Sequence, residues 1–396
     1  MRKRANRAGL ILLSGIAVLM LCRYDLSAQD SLPPIPHKTA YDKWMWPHRT
    51  ITRMITKERK AFFDTTYIRS FKKQITLTVP LSTRFLNFGI TDWRTPGRPN
   101  LQYAANQQYD LGISINSRWA SFLMGTGVAL FNNDTKLKGK TRQTDYQFNL
   151  YGKRLTTDAS LQLYKGYYIK NSSSFSSWDS LRAPDQSYAI RPDAQALALS
   201  IGTYYVFNYK KFSYRNSFAF TETQLKSCGS PLLGGYWSLF SLAGDSSLVG
   251  YPFTLRIDSN AYVLSGASLT FGINAGYIYT VVIKKKFYIT FSAIPGFGLT
   301  RNSYTRADKS SYTGPVSGNY KVNLRTAIGY DSGRFFCGTM AMTDYYYYSS
   351  ESNATFDYSY GKARIYVGYR FDVRKAEKKL LTKLGLIDWD KPKTER

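Results

Sequence analysis

The sequence predicts an all-β fold, a single antiparallel transmembrane β-barrel, and three observations carry that expectation. From Gln74 to Phe371, stretches of about ten residues alternate apolar with small or polar side chains. Tight turns and longer loops separate these stretches in alternation. A leader for export precedes them. In one stretch Leu269, Phe271, Ile273, Ala275, Tyr277, Tyr279 and Val281 share one parity, while Thr270, Gly272, Asn274 and Gly276 occupy the other. Such a strand has one greasy face and needs an apolar neighbour. Lipid as the neighbour gives a barrel; a second sheet gives a secreted soluble β-sandwich, which stays open as an alternative.

Residues 1–28 read as a signal peptide. Arg2, Lys3, Arg4 and Arg7 form a positive start, Ala8 to Leu21 an apolar core, and Ser27-Ala28 a small-residue exit. The apolar run is shorter than the roughly 18 residues a spanning helix needs, which argues against an uncleaved anchor. Cys22 follows Leu21 rather than a small residue, which argues against lipid attachment. No later stretch is apolar for long enough to cross a bilayer as a helix, so insertion must use strands. Residues 29–71 form a periplasmic N-terminal segment. Pro33, Pro34 and Pro36 mark an extended entry, and Ile51, Met54, Ile55 and Phe62 recur at roughly helical spacing. This segment is either a lead-in to the first strand or a plug in the barrel mouth.

The barrel spans 72–371. Its strand candidates are 74–86, 108–118, 120–131, 143–151, 155–169, 194–208, 211–222, 231–242, 248–257, 263–282, 286–300, 318–331, 334–346 and 361–371, fourteen in all. Tight connections at Ser117–Ala120, Gly152–Arg154, Tyr209–Lys210, Gly244–Ser246, Lys284–Lys286 and Asp331–Gly333 each follow an even-numbered candidate, as short periplasmic turns should. The ninth candidate holds Pro252, which has no N–H for a ladder; without it 222–262 becomes an irregular excursion and twelve strands is the natural count. The long outer connections are 89–107, 170–192, 301–316 and 347–360, rich in Ser, Asn, Asp, Arg and Tyr. The last strand, KARIYVGYRF, points Ile365, Val367, Tyr369 and Phe371 outward and Lys362, Arg364, Gly368 and Arg370 inward. Its aromatic close resembles the signal read by barrel-assembly machinery. Residues 372–396 follow, with Leu380, Leu381 and Leu384 among lysines, as a basic amphipathic tail.

Composition suits this reading. The chain has 33 Tyr, 23 Phe and 7 Trp, and amphipathic rings settle at the two membrane interfaces. The formal charge is +28, and without the leader 49 basic residues against 25 acidic leave +24. No nucleic-acid-binding signature accompanies that charge. The expected partners are therefore outer-membrane lipid and lipopolysaccharide, barrel-assembly machinery, and an anionic solute or an envelope protein, with no nucleic acid.

Parity places Asp145, Gln147, Asn149, Asp158, Gln162, Arg215, Lys321, Asn323, Arg325, Arg364 and Arg370 in the lumen. Such a lumen leans positive. It either biases a pore toward anions or neutralises itself across the interior. Inward Gly202, Gly272, Gly276, Gly329 and Gly368 leave space for large neighbours or for water. The two histidines, His37 and His48, precede the barrel, so no strand-borne Ser-His or Asp-His arrangement can form, and no enzyme is expected. Cys228 and Cys337 lack metal or redox spacing, so no cofactor or metal is expected; at opposite ends of the fourteen-strand barrel they would form no disulfide.

The run RPDAQALALSIGTYYVFNYKKFSYRNSFAFTETQLKSCGSPLLGG, from Arg191 to Gly235, together with YAANQQYDLGISI, YGKRLTTDASLQLYKGYY and GINAGYIYTVVIKKKFYIT, resembles an exported Gram-negative family known as domain of unknown function 4421. The resemblance runs from about Asp64 to Phe371 and implies an outer-membrane barrel without an established activity. Cys228 stands where a small residue such as Ala is expected. The leading expectation is a porin-like channel, a transporter or the barrel subunit of an envelope assembly. The alternative is a non-conducting barrel that anchors loops for a partner or glycan.

Overall fold

In the computed structural model, residues 62–71, 74–92, 95–97, 99–116, 120–127, 134–183, 185–348 and 354–372 are described, with 120–127 as backbone alone. The expected leader, most of the expected N-terminal segment with its helical spacing, and the basic tail after Asp372 lie outside the described residues. Alternating side chains do form strands. They are β1 (Ile68–Ser70), β2 (Gln74–Asp92), β3 (Asn100–Ala104), β4 (Tyr109–Asn116), β5 (Ala120–Gly127), β6 (Arg142–Tyr151), β7 (Leu155–Ile169), β8 (Ala189–Val206), β9 (Glu222–Gln224), β10 (Cys228–Ala243), β11 (Val263–Ile283), β12 (Phe287–Arg306), β13 (Ser311–Asp331), β14 (Phe335–Tyr348) and β15 (Ala354–Asp372).

The sheet closes on itself, because β15 pairs along its whole length with β2, from Ala354↔Asp92 to Asp372↔Gln74. Every pairing is antiparallel. The sandwich alternative therefore fails: there is one closed sheet rather than two packed ones. At the loop end β3 bridges β2 and β7 directly, giving a circuit of ten strands, β2-β3-β7-β8-β10-β11-β12-β13-β14-β15. Toward the turn end β4, β5 and β6 replace β3 in the wall, and that circuit counts twelve. The β5–β6 ladder within it is short, limited to Ala120↔Leu150 and Ser121↔Asn149.

Neither circuit has fourteen strands. The candidate at 211–222 is instead a helix, Tyr214–Phe218, followed by β9, which pairs with β1 in a small separate sheet. All five helix residues are buried. Alternation misled here because a segment surrounded by barrel wall buries both parities. The candidate at 248–257 is a turn and a short 3-10 helix, Phe253–Leu255, as the missing N–H of Pro252 allows. Losing the first of these candidates reverses β10, and losing the second restores the direction of everything after it. Cys228 and Cys337 therefore both lie at the turn end, as free thiols, and not at opposite ends. The same reversal moves Gly244–Ser246 to the loop end. The outer connection at 301–316 is shorter than expected, because β12 and β13 continue as a projecting hairpin to Arg306 and Ser311.

The outward face is apolar over its middle and aromatic at both margins. Leu111, Ile113, Leu233, Ile273, Phe291, Leu324, Ile328, Ile365 and Val367 are all exposed. Tyr205, Phe207, Phe287, Phe335, Tyr369 and Phe371 ring the turn end; Phe297, Tyr320, Tyr345 and Tyr347 ring the loop end. Phe287 and Phe297 are ten residues apart on β12. At ~3.4 Å per residue and a tilt of ~40° that is about 26 Å of height, which matches a bilayer-facing band of ~25 Å.

Candidate functional site

The interior is where this barrel differs from a pipe, and it is built in three layers. At the turn end, residues 212–224 sit inside the ring, because they touch strands all round it. Arg215 donates to the Tyr151 carbonyl of β6 at 2.5 Å. Ser217 and Thr290 of β12 share a hydroxyl hydrogen bond of 2.6 Å. Arg325 of β13 donates to the Tyr214 hydroxyl. Phe220 stacks on Phe336 of β14 and meets Tyr366 of β15 at ring distances of 5.2 and 4.3 Å. The N-terminal strand β1 and Lys210 tie this plug to the chain entry, through Asp64 N–H to the Lys210 carbonyl at 2.8 Å.

Buried ion pairs lock the plug to the wall. Arg370 forks onto Asp331 with two bonds of 2.8 Å, donates from Nε to the Phe220 carbonyl at 2.9 Å, and is 1% exposed. Thr223 donates to the same Asp331 at 2.6 Å. Glu222 lies between Lys153 at 2.7 Å and Arg215 at 3.3 Å. Burial alone pushes the Glu222 carboxyl up, but the two cations outweigh it and hold the group below the ordinary carboxylate range.

At the loop end, the segment after Gly244 folds inward, with Leu248, Val249, Phe253 and Ile257 buried. Tyr103 on β3 donates to the Leu248 carbonyl, Arg191 on β8 donates to the same oxygen at 2.6 Å, and Asp258 N–H reaches Asp92 on β2 at 2.8 Å. Below it, aromatic rings cross the lumen. Phe88 of β2 stacks on Tyr103 at 4.5 Å and approaches Phe240 of β10 at 6.3 Å; Phe240 stacks on Tyr358 of β15 at 4.1 Å, and Tyr358 on Tyr346 at 4.5 Å. Inward glycines make room for such rings. A Cβ on Gly272 would lie 2.3 Å from the Tyr236 ring, and one on Gly368 lies 2.2 Å from that of Phe336. They leave space for large neighbours, and here those neighbours are rings.

Between these layers lies a polar belt. Lys321 pairs with Asp344 at 2.7 Å, Arg325 with Asp158 at 2.7 Å, and Arg84 with Asp145 and Asp110 at 3.6 and 3.9 Å. Asn323 accepts from Arg325 and donates to Asp344. Gln162 donates to Asp145 at 2.8 Å. Lys362 donates to Gln147 at 2.7 Å, and Arg364 is 8% exposed on the same strand. A cavity of about 50 Å³ lies here, lined among others by Gln147, Asn149, Asp158, Lys321, Arg325 and Lys362.

Each sequence-predicted lumen residue is interior, yet they do not make one site. Asp145, Asp158, Lys321, Asn323, Arg325 and Arg364 belong to the belt, whereas Arg370 and Arg215 belong to the turn-end plug. Arg215 reaches the interior from a helix rather than from a strand. Sequence reasoning missed Glu222, Lys153 and Asp331, the counter-charges of the plug. Lys153 in its turn and Glu222 in the plug follow no barrel parity, whereas Asp331 ends β13 with the inward parity of Lys321, Asn323 and Arg325 and was legible by that rule. Arg84 and Asp344 have the inward parity of their strands and were legible by the same rule that found Lys321. Among the described residues no group of His, Cys, Asp and Glu is arranged to hold a metal.

A family model for a domain of unknown function, DUF4421, matches residues 63–371. The chain belongs to the DUF4421 family. No curated protein matches it in sequence. Solved structures similar to this DUF4421 protein include the outer membrane protease OmpT from Escherichia coli, 9% identical with a TM-score of 0.37 over 76% of this chain and 98% of that one. The translocator domain of the autotransporter NalP from Neisseria meningitidis is 11% identical, with a TM-score of 0.29 over 84% and 97%. The toluene transporter TodX of P. putida is 7% identical, with a TM-score of 0.24 over 75% and 91%. At such identities and scores, protease, translocator and transporter describe those proteins alone.

Proposed function

We propose that this DUF4421 protein is an outer-membrane barrel that conducts nothing and serves as an anchor, presenting its loop-end surface to an envelope partner or a surface glycan. The observation that carries the reading is the filled interior: two plugs, with a ring stack that joins β2, β10, β15 and β14 across the lumen. A diffusion pore needs a continuous aqueous path, and buried rings in contact across the axis close it. Membrane residence rests on the apolar outer band and its two aromatic margins, which water would not tolerate at this extent. The surface offered to a partner is the loop end, where the β12–β13 hairpin projects beyond the Phe297–Tyr320 margin. No catalytic role is included in this reading: Asp344, Asp158, Asp331 and Glu222 are each paired with a cation.

Full-length protein refolded in planar bilayers tests the proposal. Membranes should show no stepwise current over a wide voltage range, while the folded barrel resists protease and shifts on an unheated gel. Steady open-channel conductance from protein with an intact N-terminal segment would restore the channel reading.

A further inference from the structure

We propose that the mid-barrel cavity binds a small oxyanion, a carboxylate or a phosphate group, held by Lys362 with Arg364 and Arg84 supplying the surrounding positive charge. A sealed anchor has no need of such a site, so the inference goes beyond the reading above.

Three observations meet here. Lys362 lines the cavity, is 7% exposed, and among the described residues its Nζ has one polar contact, the Gln147 side-chain oxygen at 2.7 Å. Two residues along β15, the buried Arg364 guanidinium makes no ion pair and no hydrogen bond among the described residues, its Nε being enclosed without a partner. Directly opposite Lys362 in the β15–β2 ladder stands Arg84, which holds Asp145 and Asp110 at 3.6 and 3.9 Å, so that Arg84, Lys362 and Arg364 face two carboxylates between them. Like charges directly opposite on neighbouring strands repel, and a buried charge without a counter-ion is costly. The other interior carboxylates are already committed: Asp344 to Lys321 and Asp158 to Arg325, both at 2.7 Å. One more negative charge in the cavity offsets the excess.

The space fits. A cavity of about 50 Å³ corresponds to three or four waters at ~15 Å³ of probe volume each, or to one tetrahedral or planar oxyanion in their place. Ser160 of β7 and Asn149 of β6 also line it and offer neutral donors. The proposed route is the β5–β6 seam. The β5–β6 ladder ends at Ser121↔Asn149, and Asn149 and Gln147, next inward-facing on β6, both line the cavity. The oxyanion can therefore arrive free in solution or as the headgroup of an anionic amphiphile entering from the bilayer.

The test is calorimetric titration of folded full-length protein in neutral detergent with two probes, inorganic phosphate and lysophosphatidate, on wild type, K362M and R364M. Wild type should bind at least one probe at one site. K362M should weaken that binding about tenfold or more, the loss of one charge-assisted hydrogen bond, and R364M should weaken it less. Binding of both probes points to a free anion; binding of lysophosphatidate alone points to the headgroup and the lateral route. Because the Arg364 side chain makes no hydrogen bond among the described residues, R364M keeps the fold even should K362M lose it, and it then decides alone. No binding of either probe to wild type, or binding that the folded variants leave unchanged, overturns the proposal. Failure here leaves the conductance result, and so the anchor reading, untouched.

Discussion

Replacing Arg370 with methionine removes the bond that holds the turn-end plug to the wall, and the cost can be worked from its partners. The guanidinium makes two 2.8 Å bonds to Asp331 and donates to the Phe220 and Gly333 carbonyls at 2.9 and 2.5 Å. Both members of the pair are almost fully enclosed, with side chains 1% and 3% exposed. R370M leaves the Asp331 carboxylate with Thr223 and the Gly333 N–H as donors and no cation. Removing one member of a buried pair costs about 3–5 kcal/mol. With a urea slope of ~3 kcal/mol/M the midpoint should fall by about 1–1.7 M. The assay is urea unfolding in lipid vesicles, read by tryptophan fluorescence and by gel mobility without heating. Adding D331L to R370M should recover most of the loss, since apolar replacement of a whole buried pair is often nearly neutral. Because Arg370 also fastens Phe220, R370M should admit occasional current bursts in planar bilayers while R370M/D331L stays quieter. A midpoint shift for R370M below about 0.3 M, or a double variant worse than the single, would refute the view that the pair locks the plug.

Acid should loosen the same plug through Glu222. Its folded carboxyl titrates below the ordinary value, so the unfolded chain takes up the proton first as pH falls. The stabilisation is therefore complete above an ordinary carboxylate pKa of ~4.3 and is lost as pH drops through the lowered folded value. Protease access to the N-terminal segment, measured from pH 7 to pH 3, should rise at the acid end in wild type; E222Q should be more accessible at pH 7 and lack that carboxylate's step. The lipid band makes a separate prediction. Phe291 faces outward midway between the aromatic margins and Val316 lies beyond the loop-end one, so F291R should destabilise the vesicle-refolded barrel by about 2–4 kcal/mol and V316R by about 1 or less. Equal, small effects of the two in vesicle unfolding would argue that this face does not meet lipid.

Some of this architecture was legible before any coordinates. Alternation from Gln74 onward located the twelve long-circuit strands, because a strand with one lipid-facing side must repeat every second residue. It also gave the inward direction of Lys321, Asn323, Arg325, Arg364 and Arg370, since direction on a strand follows from parity alone. The family resemblance was legible too, and the family model over residues 63–371 bears it out.

What alternation could not separate is a strand in the wall from a segment inside it. Phe212, Tyr214, Phe218 and Phe220 alternate as a lipid-facing strand would, but the wall covers them on every side, so apolar residues there satisfy packing and not lipid. That tertiary fact removed two strand candidates, reversed β10 and brought Cys228 and Cys337 to one end. It also decided the character of the lumen. The sequence by itself determined the strand pattern of the wall and the face of each wall-strand residue, because both are local consequences of a period of two. Whether the interior is a path or a core depended on which loops fold inward and which counter-charges meet across the axis. Glu222 with Lys153 and Arg215, Asp331 with Arg370, and the stack from Phe88 to Tyr346 join residues far apart in the chain, and such contacts exist only once the ring has closed.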